Sequence, residues 1–534
     1  MRVPSRAGSS LLTRIAPPVA ATVLLVAMVL LSRGFGATWD ERDLQKYGEQ
    51  IWDFYAGRIA RADIDLSVGE LRIYGGLVEF LDVATQHVVR ADAYMVRHAV
   101  NSVFGWAGVV FAFLMARRLF GARAGWLAAA LLIAMPRYVG ESMNNPKDLP
   151  FAVLMLAGLY FIVTLAPRYP YLPWGHAIKL TIAIALAAGV RAMGLGLIGY
   201  AGVALLVAVI ASGERSPIRV SATAARLAVV TLAAIVAATA FWPWAQEQPL
   251  LRPLQALSTA SGFNWGNPSI FFGQDVRATE LPWYYLPTWL AITIPLVVIA
   301  GAGLSIARLW RRPDARVQLT GIWLFVLLPA TLAIVRHLSL YDGIRHMYFI
   351  VPPIAVLAAA GWDFALEARP KVQLAVAVLL AVGIAEPVIF QIRNHPNQNV
   401  YFTPLMGGPR AAYGRFELDY WGNCVLQAAA WADTQARRAG FPIGIAANAW
   451  EIMAVDQPRF PSLWFRRREQ DDYHLDVRLL KGNRQSVLDT NASPNVLHRV
   501  TMADGTPLCV VMPGPRYPEL AERLARVAGQ EQGR

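Results

Sequence analysis

The sequence predicts a polytopic α-helical membrane protein of about eleven transmembrane helices, followed by a carboxyl-terminal extracytoplasmic α/β or α+β domain. Three observations predict it. The 534-residue chain is 56% hydrophobic and only 16% charged. Its apolar runs approach the ~20 residues a helix needs to cross a bilayer. Its charges collect between those runs, beginning with Asp40-Glu41 just beyond the first of them.

The expected spans are 11–31, 99–116, 119–135, 149–166, 176–190, 193–211, 225–242, 286–307, 318–335, 347–365 and 372–390. Helices satisfy their own backbone groups in lipid, which makes them the open-ended way to span. Residues 11–31 read as a retained helix, because the run continues towards Trp39-Asp40-Glu41 without a small-residue cleavage site.

Orientation follows the basic loops. With Arg2, Arg6 and Arg14 inside, alternate loops carry Arg117, Arg118 and Arg123; Arg168 and Lys179; Arg215, Arg219 and Arg226; Arg308, Arg311, Arg312 and Arg316; and Arg369 with Lys371. Eleven spans then place the tail outside. The +13 formal charge reports this topology and contact with bilayer lipids, not nucleic acid.

Residues 1–390 are read as the membrane domain, with external loops 32–98 and 243–285, and 391–534 as the extracytoplasmic domain. In the first loop Leu44, Tyr47, Ile51, Phe54 and Tyr55 recur at helical spacing, which fits an interfacial amphipathic helix. The second carries Trp242, Trp244, Trp265 and Trp283-Tyr284-Tyr285, an aromatic belt. In the tail, 423–437 reads as a helix, 443–447 and 508–512 as strands, Asp504-Gly505 as a hairpin turn and 517–530 as a helix. Cys424 and Cys509, the only cysteines, either pair or stay as buried thiols.

Four external turns gather ionisable groups. Asp40 and Glu41 leave the first helix, where a carboxylate can take a proton from an acceptor. Residues 136–150 hold Arg137, Glu141, Asn144, Lys147 and Asp148 in a short loop. Arg191 occupies a turn between apolar runs, where a guanidinium needs an anion. Tyr341, Arg345 and His346 precede a late apolar run, and arginine grips phosphate through two parallel hydrogen bonds. A solvated loop charge pair is the bland reading of Asp40-Glu41, and interfacial packing that of each aromatic.

The order of these features resembles the integral membrane glycosyltransferases of the GT-C fold, the group containing protein O-mannosyltransferases and lipid A aminoarabinose transferases. The resemblance rests on Asp40-Glu41, on Asn144-Asn145-Pro146-Lys147-Asp148, and on Arg345-His346 ahead of Pro352-Pro353, and it covers about residues 10–390. It implies a bacterial cytoplasmic (inner) membrane enzyme, moving a hexosyl or pentosyl group from a polyprenyl-phosphate donor to an extracytoplasmic lipid, glycan or protein acceptor, with inversion. Asp40 is then the expected base, with Glu41 and Asp148 as further catalytic candidates. Arg137, Asn144, Lys147, Arg191, Arg345 and His346 are expected on the donor phosphate or sugar; Glu141, Tyr341 and Trp421 are candidate acceptor or groove contacts. No cofactor is required, although Asp40 and Glu41 could bridge a divalent metal ion. The Asn-Asn-Pro-Lys-Asp loop and the segment 401–422 depart from the group's pattern, which leaves the acceptor open. A lipid-linked oligosaccharide ligase or polymerase, a transporter and a non-enzymatic receptor are the competing readings; the chain shows no internal repeat of the kind transporters carry.

Overall fold

The structure, a computed structural model, describes residues 11–67, 71–165, 172–212, 216–262 and 266–532. The expected charges at Arg2, Arg6, Arg168 and Arg215 and the belt residue Trp265 lie outside them. The described residues form a multi-pass helical body joined to a mixed α/β unit.

Among the described residues, seven helices are long and apolar enough to cross a membrane: Ile15–Ser32, Ala93–Phe120, Ala192–Ile210, Pro217–Phe241, Pro313–Val335, Arg345–Ala365 and Pro370–Arg393. Two bent pairs raise the number to nine, and the apolar helices Ala122–Ile133 and Trp174–Ala188 are shorter. The expected spans of about eleven helices fall on these apolar segments, of which length and bending set apart the seven to nine candidate spans from the two shorter helices. Pro136–Asn144 turns by 112° into Asp148–Thr164, and Tyr285–Thr293 by 114° into Leu296–Arg311. Both breaks precede a proline. Asn145, ahead of Pro146, and Ile294, ahead of Pro295, have extended backbones (ψ 96° and 130°), the conformation that a following proline ring favours over the helical one.

The helix Val351–Ala365 runs through the middle of the body, with every residue from Val351 to Asp363 buried. Ile15–Ser32 and Pro370–Arg393 instead leave most of their apolar side chains uncovered, as lipid-facing helices do. At the end assigned to the cytoplasm, Asp363 accepts from Arg123 at 2.7 Å and Arg308 at 2.8 Å, so two of the basic-loop arginines are paired within the protein.

The amphipathic run of the first loop forms the helix Glu41–Tyr55, which packs Leu44, Tyr47 and Ile51 inward. The second loop contains the helix Arg252–Ser261 and a hairpin of β1 (Pro268–Phe271) and β2 (Gln274–Arg277). In the tail, β3 (Ile443–Ala447), β4 (Leu463–Phe465), β5 (Leu475–Leu479), β6 (His498–Thr501) and β7 (Pro507–Pro513) form one sheet in the order β4-β3-β5-β7-β6. The β3 pairings are parallel and the β7 pairings antiparallel. Helices Cys424–Ala439 and Tyr517–Gln532 accompany it, and Cys424 is disulfide-bonded to Cys509 on β7. The segment opening the tail lies within the body: Tyr401 donates to Glu386 at 2.8 Å, and the Thr403 amide to the Ile292 carbonyl at the broken helix, also at 2.8 Å.

Candidate active site

Five of the expected charged residues meet at one place. Asp40 is the N-cap of helix Glu41–Tyr55, but its side chain makes no capping bond. The carboxylate turns instead to Arg345 (Nη2–Oδ2 2.5 Å) and Lys147 (Nζ–Oδ2 3.1 Å). Arg345 begins the 3₁₀ turn Arg345–Ile350, so its side chain leaves the end of the central helix and reaches three carboxylates at once. Besides Asp40 it holds Asp148 through Nε at 3.0 Å and Asp342 through Nη1 at 3.3 Å. Arg191 pairs with the other oxygen of Asp148.

Local chain geometry explains this convergence. Asn145, at the proline break, accepts from the Asp148 amide at 2.9 Å and the Lys147 amide at 3.3 Å, capping the helix that starts at Asp148. Arg191 is aligned by the external segment: Tyr74 makes an antiparallel bridge to it, and Gly76 donates to the Phe241 carbonyl at 2.9 Å. A Cβ on Gly75 would collide with the Gly189 carbonyl, so only glycine lets the two segments lie this close. The Tyr74 ring faces both the Lys147 ammonium (4.7 Å) and the Arg191 guanidinium (5.5 Å).

Asp40 is the most exposed carboxylate of the cluster. Its side chain is 27% exposed, against 2% for Asp148 and 7% for Asp342. Burial raises the pKa of Asp40, but the Lys147 and Arg345 charges outweigh it and hold the group below the usual carboxylate range. Two polar atoms nearby, Arg191 Nε and His346 Nδ1, are buried without a hydrogen-bond partner, and the His346 ring packs edge-on to Tyr341 at 4.4 Å. Unpartnered buried donors of this kind suit a polar ligand.

Several expected site residues lie elsewhere. Glu41, one residue from Asp40, points the other way: it accepts from the Thr38 amide at 2.8 Å and lies 3.1 Å from His98 and 3.8 Å from Arg97. Adjacent positions at a helix start project on different faces, so Asp40 and Glu41 do not form a common metal ligand pair. Among the described residues no group of three or more His, Cys, Asp or Glu gathers to hold a metal ion, and each carboxylate around Arg345 already has a cationic partner. These residues do not fit a metal site.

Glu141 is enclosed, accepting from Tyr420 (2.5 Å), Asn145 (2.6 Å) and Trp421 (2.8 Å), and so presents no free carboxylate to an acceptor. Trp421 is 1% exposed, with the Arg345 guanidinium 4.5 Å from its ring, so it packs against the arginine. Asn144 donates to the Gly36 carbonyl (2.9 Å) and Asn423 (2.7 Å), tying three segments together. Arg137 donates to the Tyr401 carbonyl at 3.1 Å and faces Trp289 and Phe402, apart from the ion-pair cluster.

Two groups not expected at the site complete it. Lys481, just after β5, donates to Asp342 at 2.8 Å and so connects the tail to the cluster. Burial would lower the lysine's pKa, but Asp342 and Glu417 raise it. Asp342 and Gly343 both take positive φ (55° and 70°), making the turn that aims Asp342 at Arg345 and Lys481. The Asp342-Gly343 pair was the visible sign of that turn; nothing in the sequence around Lys481 marks its partner 139 residues away.

No family model matches the chain, and no curated protein matches it in sequence. Among solved structures it is similar to the crystal structure of ArnT from Cupriavidus metallidurans bound to undecaprenyl phosphate, at 14% identity over 94% of this chain and 98% of that one, with a TM-score of 0.49. The apo state of that protein gives 14% identity, 93% and 98% coverage and the same score. The archaeal oligosaccharyltransferase AglB from Archaeoglobus fulgidus, in complex with an inhibitory peptide and a dolichol-phosphate, is 12% identical over 88% of this chain and 70% of that one, with a TM-score of 0.47.

Proposed function

We propose that this protein is a membrane glycosyltransferase of the GT-C type, transferring a sugar from a polyprenyl-phosphate donor to an acceptor on the extracytoplasmic side of a bacterial inner membrane. The observation that carries the reading is the reachable Asp40 carboxylate, held within hydrogen-bond distance of Arg345 and Lys147 at the ends of apolar helices. A base and phosphate-binding cations are then side by side.

Transfer from a phosphate leaving group needs placement and charge compensation more than covalent catalysis. The donor phosphate takes up the Lys147 ammonium and the remaining N–H groups of Arg345, with Arg191 behind them. Lys147 is the cation most easily recruited, since Asp40 is its one ion-pair partner among the described residues. As the bond between the anomeric carbon and the phosphate oxygen breaks, these cations stabilise the charge gathering on that oxygen. Asp40 accepts the acceptor's proton as the nucleophile attacks from the opposite face, and the configuration inverts. Moving Lys147 and Arg345 onto phosphate also relaxes the depression of the Asp40 pKa, strengthening the base when donor is present. Asp148 and Asp342 remain bound to Arg345 throughout and keep it oriented.

The test is reconstitution of purified protein in proteoliposomes with a radiolabelled acceptor pool and either polyprenyl-phosphate sugars or the matching nucleotide sugars. Transfer from the former alone is the expected result. Transfer from nucleotide sugars, or from neither class across hexose and pentose donors, overturns the proposal.

A further inference from the structure

A cavity of about 360 Å³ lies outside the ion-pair cluster, between the outer end of the first span, the start of helix Ala93–Phe120 and the tail helix Trp450–Asp456. Arg33 follows the last residue of one span, and Tyr94 and Met95 open another, so the cavity sits where a bilayer meets water. Its volume is in the range of small-ligand sites.

The lining is mixed. Phe35, Met95, Val455 and Pro458 supply an apolar wall. Arg33 is exposed, and its guanidinium makes no hydrogen bond or ion pair with the described residues. Arg459 uses its guanidinium on the Phe35 and Arg33 carbonyls at 3.1 and 3.2 Å, which fixes it beside Arg33. Asp456 is 1% exposed; one oxygen accepts from the Ala37 amide at 3.1 Å, while Oδ2 has no partner. Burial pushes the Asp456 carboxyl up to about 7 against the Ala37 amide and the Arg459 guanidinium 3.8 Å away, and its unpartnered oxygen can accept a hydrogen bond from a hydroxyl. The other acid, Asp92, is occupied in part by capping the Met95 amide at 2.9 Å. His98 is engaged by Glu41 at 3.1 Å. Of the two arginines and two acids in the lining, Arg33 is the cation whose guanidinium has no partner among the described residues, and it is the one open to a ligand's anion.

We infer that this cavity binds the phosphorylated, hydroxyl-bearing headgroup of an anionic lipid, with the phosphate between Arg33 and Arg459 and a hydroxyl on Asp456. Guanidinium groups match phosphate oxygens in pairs, and a buried carboxyl oxygen without a partner gains one. The apolar wall of Phe35 and Met95 receives the upper part of the lipid chains. The segment 33–40 forms one side of the cavity and ends at Asp40, so an occupied cavity braces the strap that carries the proposed base; the binding itself does not depend on any transfer activity.

The experiment is native mass spectrometry of the detergent-purified full chain titrated with short-chain phosphatidylglycerol, short-chain phosphatidylcholine or inorganic phosphate. Wild type is expected to retain one phosphatidylglycerol in preference to phosphatidylcholine, and an excess of inorganic phosphate is not expected to displace it. Val455→Trp fills the cavity without changing charge, and Arg33→Gln removes an exposed cation with little effect on folding. Arg33→Gln is expected to weaken retention by about tenfold, the effect of one lost charge-assisted contact, and Val455→Trp by at least as much through steric exclusion. Arg526→Gln, on the terminal helix, serves as a control of equal charge change and is expected to leave retention unaltered. Equal losses for Arg33→Gln and Arg526→Gln, or full retention in a Val455→Trp protein that melts like wild type, overturn the site. Displacement by inorganic phosphate at comparable concentration assigns the cavity to free phosphate and overturns the lipid.

Discussion

At the scale of single residues, the site depends on one arginine with three carboxylate partners. Arg345 uses Nε, Nη1 and Nη2 on Asp148, Asp342 and Asp40, a fork that lysine cannot reproduce. Arg345→Lys is expected to weaken donor-phosphate binding by about tenfold or more while leaving acceptor binding unchanged, as read by titrating each ligand into purified protein. Equal loss for both ligands would make Arg345 a structural residue only. The depressed pKa of Asp40 also fixes the direction of its pH dependence. A carboxyl lowered on folding contributes stability above its unfolded value of about 3.9 and loses it as pH falls through the folded value. The proposed base therefore stays ionised through weakly acidic solution, and the acid limb of kcat/KM lies below about pH 4. A limb centred near 6–7 would point to a different base. Asp40, Lys147, Asp148, Arg191 and Arg345 were legible because charges at helix ends in an apolar chain need partners. Lys481 was not, since an ordinary loop lysine carries no sign of the partner that folding brings to it.

At the scale of elements, the proline break at Pro146 is what brings Lys147 and Asp148 to the ion-pair cluster. Asn145 and Pro146 end one helix, and Asn145 caps the next while also donating to Glu141 at 2.6 Å. Asn145→Ala removes the cap and leaves Glu141 short of a donor. It is expected to cost about 1–2 kcal/mol, seen as a lowered melting temperature, and to reduce transfer by misplacing Lys147 and Asp148. An unchanged melting temperature with an unchanged rate would show that the break holds without the asparagine. Apolar segments and the tail helix and strands could be read from periodicity and turn residues; the 112° and 114° bends could not, because apolarity does not reveal chain direction. The β1–β2 hairpin escaped notice for a related reason. Its turn is Phe272-Gly273, with both residues at positive φ, instead of an Asn-Gly or Asp-Gly pair.

At the scale of the molecule, the tail is joined to the site. Lys481 reaches Asp342, Trp421 lies beneath Arg345, and Asn423 accepts from Asn144. Buried polar contacts of this kind oppose separation of the two parts, since breaking them leaves charged groups unpaired. The proposed extracytoplasmic site requires the tail and the second loop on one side of the membrane and the basic turns on the other. Single cysteines near Gly262 and Asn491 are expected to react with an impermeant maleimide from outside, and those near Ser216 and Asp314 only after permeabilisation. A cytoplasmic Asn491 contradicts this arrangement. That orientation rests on the basic loops of the sequence, whereas the contacts of segment 398–423 with the body could not be read, because they join residues hundreds of positions apart.

The most direct test of the central claim is the initial rate of sugar transfer by Asp40→Asn in proteoliposomes at saturating donor and acceptor, with donor binding measured on the same preparation. The account predicts at least a ~10²-fold fall in rate with donor binding retained. A correctly folded Asp40→Asn protein that turns over at the wild-type rate would contradict it.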